Sequence, residues 1–132
     1  MTNISNNGAG ALYGTFHITS DDVSSLKAGE AVTLEAGNTV GYGASGDFLF
    51  GIVEHIEGNG DATVQFKGVR NDVATISGAT IATVGKCLAV NGVGKVIKYA
   101  GATVTSGSAA IIPTNAIAVN VDTTNYKADI IL

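Results

Sequence analysis

The chain predicts an all-β fold, a single small β-barrel or β-sandwich domain (residues 12–132) behind a flexible amino-terminal arm (residues 1–11). Three observations carry this. Short apolar runs rich in Val, Ile and Thr recur from end to end. Gly, Asn and Asp separate them roughly every 8–12 residues, the spacing of turns in barrels and sandwiches. No long segment shows the 3.6-residue apolar period of an amphipathic helix.

Met1 to Ala11 is polar, small and aperiodic, and reads as the arm. Leu12–Thr19 is the first expected strand, and Asp21 and Asp22 then precede one expected helical turn over Val23–Leu26. Lys27-Ala28-Gly29-Glu30 is a turn into the alternating strand Ala31–Glu35, and Ala36-Gly37-Asn38 turns the chain into a short extended Thr39-Val40. Gly46–Ile56 is the most apolar expected strand. Gly58-Asn59-Gly60-Asp61 joins it to Thr63–Val69 as a hairpin, because Gly and Asn accept the positive φ of tight turns. Arg70-Asn71-Asp72 is expected to turn into Val73–Ser77, and Gly78–Val84 fits strand or helix equally. Cys87–Val90 and Val93–Tyr99 flank an Asn91-Gly92 turn. Ala116–Val121 and Ala128–Leu132 close the chain, with Pro113 before them, where a missing amide donor does little harm.

Composition narrows the function. A chain of 132 residues forms one domain. Only 14% of residues are charged and mean hydropathy is +0.32, so little charged material covers the outside and burial against other subunits is expected. Seven basic residues against eleven acidic ones, with Arg70 the single arginine, argue against direct binding of DNA or RNA. No stretch reaches the ~20 apolar residues of a membrane span. The amino terminus lacks signal-peptide features, so the chain reads as made and kept in the cytosol. Cys87 stands alone and reads as a small apolar side chain.

Candidate chemical motifs fail on their surroundings. Gly41-Tyr42-Gly43-Ala44-Ser45-Gly46 matches G-x-G-x-x-G, but a strand pattern follows where a dinucleotide site needs a helix. Gly85-Lys86 and Gly94-Lys95 lack the hydroxyl residue that a P-loop places after its lysine. His55 lies between Glu54 and Glu57, and in a strand Glu54 and His55 point to opposite faces, which leaves His55 a solvated group. Phe48 and Phe50, and Val64 and Phe66, share faces at i, i+2 and read as core. Tyr13, Tyr42, Tyr99 and Tyr126 lie near loops and suit an interface. No cofactor and no enzymatic activity are expected.

The order of segments resembles the head decoration (capsid cement) proteins of tailed bacteriophages. Lys27–Leu34, Phe50-Gly51-Ile52-Val53 with its glycine-turn hairpin, Thr63–Val69 and the closing Val121–Tyr126 carry the likeness. It implies a noncatalytic β-rich virion protein on the capsid exterior, bound to the major capsid protein and assembled as a homotrimer, without nucleic acid or membrane contact. It also implies an attaching arm, here Thr2, Asn3, Ile4, Ser5, Asn6 and Asn7. Two other readings stand beside it: a virion β-domain that binds a host glycan, and a metal-dependent hydrolase using His17, His55 and nearby carboxylates.

Overall fold

A computed structural model describes residues 8–99 and 116–132. Ten strands and no helix occur among the described residues, so the all-β expectation holds. Strands β1 (Leu12–Ile18), β2 (Ala31–Ala36), β3 (Thr39–Gly41), β4 (Gly51–Ile56) and β5 (Asp61–Lys67) close into a barrel in the order β1-β3-β2-β4-β5. Strands β6 (Val69–Ala74), β9 (Ile117–Asp122) and β10 (Lys127–Ile131) form a three-stranded sheet in the order β6-β10-β9. Strands β7 (Leu88–Val90) and β8 (Val96–Lys98) make a separate two-stranded ladder.

Two cores explain why some runs are apolar at every position. Val32 and Val53 point into the barrel with Ile18, Leu26, Val40, Ala62 and Val64. Their sequence neighbours Ala31 and Ile52 point the other way, into a core shared with Val73, Leu88, Val96, Ala118 and Ile130. A strand buried on both faces loses its period-two pattern. Three phenylalanines, Phe16 within β1, Phe50 just before β4 and Phe66 near the end of β5, gather together. The Phe50 ring stacks on Phe66 at 5.9 Å, and Phe16 meets both edge-on at 5.1 and 6.1 Å. Glycine at position 14 leaves the room, since a Cβ there would lie 3.0 Å from the Phe16 ring and 3.2 Å from Phe66.

Several boundaries differ from the sequence reading. The most apolar run enters the barrel only at Gly51; before it, Phe48 makes a single bridge to Ala89. The expected strand Thr63–Val69 breaks at Gly68, whose φ of 98° passes the chain from β5 into β6. Arg70-Asn71-Asp72 is not a turn but the middle of β6. It bulges there, two residues against one of β10, with Asp72 at φ 57° and its amide donating to Asp129 Oδ1 at 3.0 Å. The Asp22 carbonyl accepts from Ser25 and Leu26, which is one helical turn and no more. Gly78–Ile81 is turn and bend, and the segment becomes extended only at Val84, which makes a single parallel bridge to Ala118. The four arm residues that are described are tied down: Gly8 donates to the Val69 carbonyl at 2.8 Å, and Val69 donates to Ala9 at 3.0 Å. Pro113 lies outside the described residues.

A polar clasp joins barrel to sheet. Gln65, fully buried, donates from Nε2 to the carbonyls of Lys67 and Val69 at 3.1 and 3.2 Å. Arg70 reaches back from β6 to the Glu54 carboxylate and to Gln65 Oε1.

Candidate functional site: an apolar line across the three-stranded sheet

Alternation and register build the candidate site. On β9 and β10, Ala118 and Ile130 are fully buried in the second core, so their neighbours Ile117 and Ile131 must face outward. Residues directly opposed in antiparallel strands share a face. The pairs are Val69 with Ile131, Ile131 with Ile117, and Ile117 with Cys87. Four apolar side chains therefore cross the sheet in one line, about 14 Å long at ~4.8 Å per strand. Ile117 and Ile131 are 38% and 42% exposed, and Val119, the extra residue of a β9 bulge, is 45% exposed beside them. The line contains no Asp, Glu, Lys, Arg or His.

The sheet's edges at this end are closed. Gly8 and Ala9 hydrogen-bond Val69 on the β6 side. On the β9 side Gly85 donates to Ala118 at 2.8 Å and Leu88 donates to Ala116 at 3.0 Å. Strand addition is thereby blocked, and what remains open to a partner is the face. Ile117, Ile131 and Val119 are exposed, and half-buried Val69 and Cys87 extend the apolar line at its two ends. The sequence reading did not single out Ile117 or Ile131. The available signal was that β9 and β10 are apolar at successive rather than alternate positions, which a strand at a free surface does not need.

The candidates taken from the sequence land elsewhere. Thr2–Asn7 lie outside the described residues. His17 Nδ1 pairs with Asp61 Oδ1 at 2.6 Å across β1 and β5, while His55 is exposed on β4. Glu54 is engaged by Arg70, and Glu57 accepts from the Thr63 hydroxyl at 3.1 Å. Among the described residues no three His, Cys, Asp or Glu side chains gather as a metal site. Cys87 is half-buried within the apolar line.

The G-x-G-x-x-G segment has a specific resolution. Three successive backbone amides each meet a carboxylate of the chain itself: Tyr42 to Asp22 Oδ2 at 2.9 Å, Gly43 to Glu35 Oε1 at 3.2 Å, and Ala44 to Asp47 Oδ2 at 2.9 Å. The donors that would cradle a phosphate are already spent on anions. Tyr42, half-buried beside this loop, closes the knot. Its hydroxyl lies 2.7 Å from Glu30 Oε1 and 2.9 Å from the Ser25 carbonyl, with its single proton shared between these two acceptors. Burial first, then the bond to Glu30 and the charges of Glu30 and Asp22, hold the phenol far above its ordinary range.

Compared with protein-family models, curated proteins and solved structures, the chain matches none.

Proposed function

We propose that this protein is a noncatalytic structural component of a phage virion that binds the outer surface of the assembled capsid as a homo-oligomer, a trimer, and braces neighbouring major capsid protein subunits. The observation that carries the reading is the uncharged line Val69–Ile131–Ile117–Cys87 on an otherwise closed sheet. It offers a self-associating surface on a chain of net charge −4, whose copies repel wherever their carboxylates face each other. The resemblance of Lys27–Leu34, Phe50–Val53, Thr63–Val69 and Val121–Tyr126 to capsid cement proteins supplies the shell as partner. Many weakly held copies arrayed in lattice symmetry stabilise by multivalency, and binding only the assembled shell disfavours its opening by linkage.

The test titrates purified protein onto mature phage shells stripped of outer proteins and counts bound copies. Saturation at a lattice-defined number supports the reading. Absence of saturable binding, or binding to glycans and not to shells, overturns it.

A further inference from the structure

A second surface lies at the opposite end of the same sheet, five residues along β6 from Val69 or roughly 17 Å at ~3.3 Å per residue. It is a groove of about 450 Å³ between Ala74–Ser77, Lys95 and Asn125–Lys127. Two of the chain's seven basic side chains, Lys95 and Lys127, line it together with Ser77, Asn125 and the exposed Tyr126. Among the described residues neither lysine forms an ion pair. The nearest acid by register is Asp122, opposite Lys127. Its carboxylate is taken up by the amides of Thr124 and Asn125 at 2.9 and 3.1 Å and by Asn125 Nδ2 at 3.0 Å. Those bonds, the Asn125 amide's foremost, hold its pKa below the usual value.

The groove is built on a fixed floor. Thr75 is 2% exposed and ties three of its surrounding segments together. Its amide donates to the Tyr126 carbonyl at 3.0 Å, its hydroxyl donates to Val96 at 2.7 Å, and its oxygen accepts from Ala82 at 3.0 Å. Asn91 Oδ1 holds the Lys95 amide at 2.9 Å, and Lys127 is in register with Ala74. Both ammonium groups therefore project from anchored backbone, with the Ser77 and Tyr126 hydroxyls beside them. That set is complementary to carboxylates carried on an extended segment.

The geometry points to this groove as a docking site for an acidic segment of a partner protein, with carboxylates seated between Lys95 and Lys127. This goes beyond the apolar line and does not depend on what covers that line. The probe is a hexaglutamate peptide titrated into the isotope-labelled full chain and followed by NMR. Amide shifts should concentrate at Ser77, Lys95, Asn125, Tyr126 and Lys127. Added salt should weaken binding, and Lys95→Gln with Lys127→Gln should weaken it about tenfold while the rest of the spectrum is unchanged. Lys86→Gln, on the exposed β9-side segment, should leave it unaltered. Shifts scattered over the surface, equal loss from Lys86→Gln, or no loss in the double variant would overturn the proposal. So would inorganic phosphate binding as tightly as the peptide, which would make the groove a free-anion site. Shell binding is not read in this experiment, so its outcome and that of the cement reading separate.

Discussion

Replacing Gly51 by Ala isolates one physical requirement of the fold. Gly51 opens β4 and is fully enclosed between β2 and β5, and its φ is not positive, so alanine meets no backbone strain there. The obstacle is space. A Cβ at position 51 would lie 2.4 Å from the Gln65 carbonyl oxygen and 2.6 Å from Val64 Cγ1. Ordinary contact begins about 1 Å farther out, and a carbonyl in a barrel strand cannot swing aside as a side-chain tip can. Overpacking of this kind costs about 1–3 kcal/mol, more than the ~0.4–1 kcal/mol alanine returns by restricting the unfolded chain. At ~2.1 cal/mol/K per residue, 1 kcal/mol corresponds to about 4 °C in a chain this long. Gly51→Ala should thus lower Tm by about 4–8 °C. Gly58→Ala is the matched control: its φ is also not positive, but a Cβ there meets nothing within 4 Å. It should leave Tm unchanged or raise it by about 2–4 °C. Calorimetry at one fixed protein concentration keeps any oligomer contribution constant. Equal behaviour of the two variants would refute the steric account of Gly51.

Other outcomes follow from the same geometry. If the apolar line is the proposed self-association surface, Ile131→Glu and Ile117→Lys should each shift Tm by no more than about 4 °C yet abolish oligomer formation in sedimentation, because they place charge on the line without emptying a core. Ile52→Ala, at a fully buried position facing the second core, should cost about 2–5 kcal/mol in denaturant unfolding. Tyr42→Phe removes the hydroxyl that bridges Glu30 and the Ser25 carbonyl, leaving Glu30 with the Lys27 amide alone, and should cost about 1–2 kcal/mol. Since folding raises the phenol's pKa, that stability is complete below the ordinary phenol pKa and declines as pH rises above it. A Tyr42 titration at the ordinary value would refute the knot. Asp122 has the opposite sign: its depressed pKa contributes above the usual carboxylate value and is lost as pH falls through the folded one. Asp122→Ala should remove that acid sensitivity at the 122–125 turn.

The sequence by itself determined the β class, because alternation in Ala31–Glu35 and Thr63–Val69 and the Gly58–Asp61 hairpin are local signals that need no partner. It also identified the G-x-G-x-x-G segment as a loop, since a strand-like run follows it. Element ends were less legible: Arg70-Asn71-Asp72 has turn composition, but β10 pairs with it and Asp129 accepts the bulged amide, so it is strand. Only the tertiary structure decided which apolar residues stay outside. Ile130 and Ile131 are the same residue type at adjacent positions, and pleating sends one into the core and the other to the surface. The cross-strand register alone then aligns Ile131 with Val69, Ile117 and Cys87, residues far apart in the chain. Likewise Lys95 and Lys127 come together only through the buried hydroxyl and amide of Thr75. Local pattern fixes which residues can be extended, but register and the second core fix which of them a partner can touch.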